Sequence, residues 1–454
     1  MNLDKYQQDA VSWLLGRPRA MLAWEMGVGK TAPLIQAWEQ TRCRGPLLVM
    51  CLASARENWR REIKTCTTMP AKVQVFYGQD PMDPESDIVI CNYDKLLNIY
   101  IRSRLTGRKW GTLVLDEAHA LKTPNAKRTR HVYGPMPKHQ GSILTDRAEQ
   151  VWLATGTPMP NHPGELYTHA SRLWPERMQY NGHTMAQWEF EAGFCEIEQT
   201  PFGPRIIGAR NLEELKARLG PVISVLKRRD VLDLPPLIST SWPLDCEITG
   251  GSSPIPDLPE LLGSLVKEYG SPGNIDRFDK ATLSTYLAKI EAHAGSLAAI
   301  RRQTSVLKAI RAGLTLNEEL DCGAPKTVVF AWHREALAKL ERILAEHKPA
   351  VIHGDIEGAK RQDQIDRFQN DPRCRVFLGQ ITAAGSSINL QAGSNVVFVE
   401  SSWAPGDNDQ ALSRVYRRGQ KSKVYVRFCY LAGTIDELVQ RALARKTAMI
   451  SQMF

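Results

Sequence analysis

The sequence predicts an α/β protein of two lobes, each a parallel sheet flanked by helices, with helical protrusions between them. Three observations carry this expectation. Short apolar runs alternate with amphipathic helical patterns through residues 20–154 and again through residues 327–428, as strands joined by crossover helices do. Between the two series, residues 247–275 gather Gly250, Gly251, Ser252, Ser253, Pro254, Pro256 and Pro259, then Gly270, Pro272 and Gly273, a loose linker or loop pair. A chain of 454 residues is also too long for one hydrophobic core.

Composition narrows the function classes. With 43% hydrophobic and 24% charged residues the chain is globular, and 58 Lys+Arg against 49 Asp+Glu leave a net charge of +9. That excess suits a polyanionic partner. A membrane surface is the competing reading. The sequence offers no basic amphipathic segment, no bilayer-length apolar run and no secretory signal, so no membrane partner is expected. The expected location is cytoplasmic: nucleoid-associated for a bacterial source, host cytoplasm for a viral one. Nine cysteines are scattered without metal-type spacing, so they are expected as reduced, mostly buried thiols, with no zinc site.

The first lobe is expected over residues 1–164. Leu3 to Val11 opens a helix, and on it Gln7 has the donors and acceptor that suit an adenine edge; alone it reads equally as a surface glutamine. Ala20 to Ala23 is a short strand, and Leu34, Ile35 and Trp38 mark one face of a later helix. Between them runs Trp24-Glu25-Met26-Gly27-Val28-Gly29-Lys30-Thr31. Strand, glycine turn and helix start together make a phosphate cradle. Backbone N–H groups of Gly27, Val28 and Gly29 would close on the phosphates, Lys30 would reach the β/γ-phosphates, and the Thr31 hydroxyl would hold Mg²⁺. Trp24 stands where the full pattern has its first glycine. A helix-start turn with a surface lysine is the alternative.

Strands follow at Pro46–Met50, Val73–Phe76 and Asp87–Ile90, with a helix through Glu57, Trp59 and Ile63. Thr112 to Leu115 then runs into Asp116-Glu117-Ala118-His119. Acids at the carboxyl end of a strand lie where ligands bind in open α/β sheets. Asp116 is expected on the metal ion and Glu117 on the water that attacks the γ-phosphate; a solvated acidic loop is the alternative. Val151 to Ala154 is a further strand, ending in Thr155-Gly156-Thr157-Pro158 beside the other two strand ends. Its threonines either link the nucleotide site to a second lobe or mark a plain turn. Residues 131–150 read as an insertion without an assigned role.

Farther along, Trp174, Trp188, Phe190 and Phe194 suggest a small core of their own rather than a base-stacking platform. A helix is expected over about 276–320, carrying Arg301, Arg302, Lys308 and Arg311, for which a solvated basic face is the alternative reading. Strands recur at Thr327–Trp332, Ala350–His353, Arg375–Leu378, Asn395–Val399 and Lys423–Phe428. Gln410, Arg414 and Arg417 are spaced to share one helix face. Their guanidinium groups suit the γ-phosphate charge, as an arginine finger does; a solvated basic face is the alternative.

This ordered set resembles the superfamily-two helicase-like ATPases, in particular the Swi/Snf-type double-stranded DNA translocases. It includes Tyr6-Gln7, the Glu25–Thr31 loop, Glu57-Asn58-Trp59, the Asp116–His119 motif of DEAH type, Thr155–Pro158, Gly208–Leu215 and Arg228–Leu232 through Pro236, and Gln410–Gln420. The phrases Val396–Glu400 and Trp403–Gly406 are most similar to the annealing-helicase, fork-remodelling subgroup. Trp24 departs from the acidic residue usual in the family, and Ser413 and Tyr416 from its usual glycine and histidine.

The resemblance implies two RecA-like lobes, the second at 321–454. Residues 165–235 would be a helical protrusion and the exit from the first lobe, and 236–320 a linker and helical region. ATP and Mg²⁺ are the implied cofactors, and a DNA-stimulated ATPase the implied activity. Gln7 and Gln410 would contact the nucleotide. Asn92, Arg301, Arg302, Gly385, Asn389 and Trp403 would lie on the DNA path. The implied partner is double-stranded or forked DNA. No reader domain is visible in the sequence, so a targeting protein is a further expected partner. A strand-separating DNA or RNA helicase and a non-catalytic DNA-binding scaffold are the rival expectations.

Overall fold

The computed structural model describes residues 3–78, 81–134, 143–159, 162–200, 203–244, 294–356, 358–384, 388–402, 405–432 and 436–437. The chain divides into two compact units, Met1–Asp233 and Leu234–Ala448. Among the described residues no helix is long and apolar enough to cross a membrane.

In the first unit, β1 (Arg19–Trp24), β2 (Leu47–Cys51), β3 (Val73–Val75), β4 (Ile88–Asn92), β5 (Trp110–Asp116) and β6 (Ala148–Ala154) arise from the runs read as strands. Residues 165–235 hold more strand than the expected helical protrusion. There β7 (Gln179–Tyr180) pairs with β8 (His183–Thr184), β9 (Cys195–Thr200) pairs with β10 (Gly203–Ala209), and β11 (Ile223–Leu226) joins the main sheet beside β1. These strands are short or carry polar residues such as Glu196 and Glu198, so no apolar run announces them. The sheet order is β11-β1-β6-β5-β2-β4-β3, parallel at every pairing.

Alternation along each strand feeds both faces of this sheet. Met21 and Ala23 of β1 enter one buried cluster with Leu48 and Met50 of β2; Ala20, Leu22 and Trp24 enter the other with Leu47, Val49 and Cys51. Both faces are covered, which is why the strands read as unbroken apolar runs. Trp174, Phe190 and Phe194 join the first of these clusters instead of forming a separate core, and Trp188 is 70% exposed.

In the second unit, β12 (Leu237–Leu244), β13 (Thr327–Ala331), β14 (Ala350–Ile352), β15 (Val376–Gln380), β16 (Asn395–Phe398) and β17 (Val424–Leu431) form a second all-parallel sheet, ordered β12-β17-β16-β13-β15-β14. β12 falls in the stretch expected as linker and helix. It is an edge strand, mostly exposed, and therefore tolerates Pro243. The glycine- and proline-rich 247–275 stretch lies outside the described residues. The long helix is described over Ala294–Asp321. Lys308 on it is no part of a solvated basic face. It is buried, and its Nζ lies 2.8 Å from Asp436.

His169 sits fully inside the first unit, with Nδ1 2.9 Å from the Tyr133 hydroxyl. Burial pushes its imidazole down from 6.5 to about 3. The unfolded chain therefore binds the extra proton between those values, so the contribution of His169 to stability is full above pH 6.5 and is lost as pH falls. In urea unfolding, the stability difference between the parent chain and His169→Gln should change by about 1.4 kcal/mol per pH unit below pH 6.

Candidate active site

Three loops meet at the carboxyl ends of the adjacent strands β1, β6 and β5. The first is the glycine turn Glu25–Lys30, which leads into helix α2 (Thr31–Gln40). Gly27 and Gly29 have φ of 84° and 88°, left-handed values that glycine adopts without a side-chain penalty. Lys30 Nζ donates to the Trp24 carbonyl at 2.9 Å and lies 3.4 Å from that of Glu25. Helix α1 (Lys5–Leu15) braces the turn: Tyr6 Oη donates to the Val28 carbonyl at 2.9 Å, and Gln7 Nε2 to that of Gly29 at 3.0 Å. Gln7 Oε1 accepts the Asp4 N–H, closing a capping box. Gln7 is 1% exposed, so it is a buried strut of the turn and not a surface glutamine.

Trp24 closes β1 instead of lining the turn. Its indole is buried, tilts against Tyr6 and donates to Ser224 Oγ at 3.0 Å. The glycine turn therefore begins at Glu25, whose Oε2 accepts the Arg228 backbone N–H at 2.9 Å and pairs with its guanidinium at 3.2 Å.

The second loop carries Asp116 and Glu117. Asp116 Oδ2 accepts the indole N–H of Trp59, on helix α3 (Arg56–Cys66), at 2.7 Å. Its carbonyl accepts the Tyr93 hydroxyl, also at 2.7 Å. Burial and then the Glu117 charge push the Asp116 carboxyl up to about 6, against the Trp59 hydrogen bond and the Lys30 charge, which pull it down. Lys30 is thus close enough to act electrostatically on Asp116. Glu117 is left-handed (φ 49°), a strained conformation for a non-glycine residue. His119 Nδ1 lies 3.3 Å from Glu117 Oε2 and 3.2 Å from Thr155 Oγ1.

Thr155 opens the third loop and is fully buried; its hydroxyl accepts the Thr157 N–H. Its described partners all lie within the first unit. At Gly156 a Cβ would come within 2.4 Å of Met26 Cγ, so the first and third loops touch.

In the second unit the helix Pro405–Leu412 ends before Arg414. Gln410, Arg414 and Arg417 therefore do not share a helix face. Ser413 Oγ donates back to the Gln410 carbonyl, and the chain turns through i→i−3 bonds at Arg414 and Val415. The turn docks on the segment after residue 387. Leu390 N–H donates to the Arg414 carbonyl at 2.9 Å, and Arg417 Nη1 to that of Ile388 at 3.3 Å. Gln420 Nε2 reaches the carbonyls of Gln391, Gly393 and Val415.

The DNA-path expectations fare unevenly. Asn389 is exposed, whereas Asn92, the last residue of β4, is buried at 6% exposure and offers no open contact surface. Arg301 lies over the Trp332 ring and donates to the Ser401 carbonyl at 2.5 Å, half-buried. Arg302 is exposed and paired with Glu335. Gly385 and Trp403 lie outside the described residues.

Comparison with known proteins places this geometry. The model of the SNF2-related domain matches residues 6–229, and that of the helicase conserved C-terminal domain matches residues 315–419. The chain belongs to the SNF2-related family. The DNA annealing helicase and endonuclease ZRANB3 of Bos taurus is 28% identical to this SNF2-related chain over 97% of its length and 39% of the relative's. A SWI/SNF-related matrix-associated actin-dependent regulator of chromatin subfamily A-like protein 1, from Drosophila melanogaster, is 29% identical over 99% and 56% of the respective lengths. The chain thus spans roughly half or less of these relatives. The Sulfolobus solfataricus SWI2/SNF2 ATPase core in complex with dsDNA aligns over 100% of this chain and 93% of its own, at 25% identity and TM-score 0.45.

Sequence reasoning missed Tyr93 in this SNF2-related site; it quoted Trp59, His119 and Arg228 within motifs without giving them a bonding role, and the fold brings Trp59, Tyr93 and Arg228 to the loops. Two outcomes test the roles of the buried supports. Trp24→Asp, which installs the residue usual in the family, should cost about 3–5 kcal/mol in urea unfolding, because it empties a buried indole site and buries a charge. Gln420→Leu should cost the second unit about 3 kcal/mol in the same measurement by stripping three carbonyls of their shared donor.

Proposed function

We propose that the chain is an ATP-dependent translocase on double-stranded DNA. One observation carries the reading most: the glycine turn ending in Lys30-Thr31, the half-buried Asp116-Glu117 pair and the Thr155-Gly156-Thr157 turn follow three adjacent strand ends. The residues fit Mg²⁺. Two adjacent, half-buried acids repel one another without a cation, and Mg²⁺ bound with phosphates needs few protein ligands. Thr31 and Asp116 would hold it, and when bound it neutralises charge on the β- and γ-phosphates.

Gly27, Val28 and Gly29 offer backbone N–H groups to the phosphates. Lys30 exchanges its loop carbonyls for phosphate oxygens. Glu117 orients the attacking water and takes its proton, and Gln7 holds the shape of the glycine turn through the Gly29 carbonyl. Arg414 and Arg417 meet the γ-phosphate, and their release from it after hydrolysis biases the motor cycle. DNA is held through its backbone, so binding falls with salt and ignores sequence.

The test is ATP hydrolysis alone and with duplex, single-stranded or forked DNA or RNA. Duplex should stimulate it at least tenfold, and Glu117→Gln should abolish that rate while retaining nucleotide. Stimulation by single strands or RNA alone would move the chain to a strand-separating helicase. No hydrolysis with any of them would leave a scaffold.

A further inference from the structure

Asp116 is held at two points by side chains that the nucleotide chemistry above does not employ. Trp59 is 1% exposed and Tyr93 is 2% exposed. Each spends its one polar atom on the same residue: the Trp59 indole on carboxylate Oδ2, the Tyr93 hydroxyl on the backbone carbonyl, both at 2.7 Å. Neither ring belongs to β5. Trp59 comes from α3, and Tyr93 follows β4, two places away in the sheet across β2.

The two bonds have different consequences. With Oδ2 accepting the indole N–H and the carboxylate also bonded by the Glu117 backbone N–H, the carboxylate cannot rotate freely, and the lone pairs not taken by these donors face a cation from a fixed direction. The carbonyl bond fixes the peptide that joins Asp116 to left-handed Glu117. On the far side of that residue, Ala120 N–H donates to the Glu117 carbonyl at 2.9 Å. The strained turn is therefore pinned at both of its peptides, as a conformation of that kind has to be.

We propose that Trp59 and Tyr93 are positioning residues of the nucleotide site: Trp59 fixes the direction from which the Asp116 carboxylate binds Mg²⁺, and Tyr93 sets the peptide that aims Glu117. The inference rests on the reading of Asp116 as the metal carboxylate. Outer-shell partners of this kind are worth about 10–100-fold in metal affinity or activity. Trp59 acts on the metal and Tyr93 on the water-directing acid, so the two losses separate.

The experiment titrates Mg²⁺ against binding of a fluorescent ADP analogue to the full chain, and measures kcat, KM and Tm for each variant. Trp59→Phe should raise the Mg²⁺ concentration at half-saturation about tenfold. Tyr93→Phe should leave that titration unchanged and lower kcat about tenfold with KM for ATP held. Replacing Trp59 by β-(3-benzothienyl)alanine, which keeps the ring shape and lacks the N–H, should reproduce the Trp59→Phe shift at wild-type Tm. That variant keeps the test decisive if Trp59→Phe fails to fold. An unchanged Mg²⁺ titration in the benzothienyl variant, or equal effects of both substitutions on Mg²⁺ and kcat, would overturn the proposal. Wild-type chain that binds the analogue with Mg²⁺ but hydrolyses nothing would count against the motor reading and leave the Trp59 result standing.

Discussion

The parallel ladder β1–β6–β5 is the constraint on which the candidate site depends. β6 pairs with β1 from Arg19↔Val151 to Leu22↔Ala154 and with β5 as far as Asp116↔Ala154. All three strands therefore stop at nearly the same level, and the loops after them have nowhere to go but beside one another. A shift of one residue in either register would turn every buried side chain to the wrong face. The apolar layers on both sides of the sheet thus hold the three loops in place from beneath.

On that frame the loops are tied by short polar links rather than by packing alone. Tyr6 and Gln7 reach carbonyls of the glycine turn, His119 spans from Glu117 to Thr155, and Glu25 holds Arg228. The second unit repeats the strategy with different residues. There Gln420 gathers three carbonyls, and the arginine-bearing turn is bonded to Ile388 and Leu390. In both units conformations that would be unfavourable in isolation are over-determined by buried donors.

Much of the fold was legible because strands buried on both faces are unbroken apolar runs with turn residues at their ends. The glycine turn and the acids at the end of β5 were legible as turns because glycine and charged residues interrupt apolar runs at strand ends. What escaped had weaker signals. β11 and β12 are edge strands, and the β9–β10 hairpin is polar, so none stands out from a loop. The turn at Arg414 kept helical spacing of its arginines, while Ser413 diverted the backbone. Trp24 looked like a defect in a glycine pattern because its side-chain direction is a three-dimensional fact. Lys308 looked like a surface cation because Asp436, its partner, is far away in sequence.

Gly156 and Met26 form a steric couple with a consequence beyond this molecule. A methyl group on residue 156 would overlap the Met26 side chain, so the two positions share one fixed volume. Residue 156 can gain a side chain only if residue 26 gives up volume. Across homologous sequences positions 26 and 156 should therefore drift as a pair, one locus spelled in two places, even though more than a hundred residues separate them along the chain.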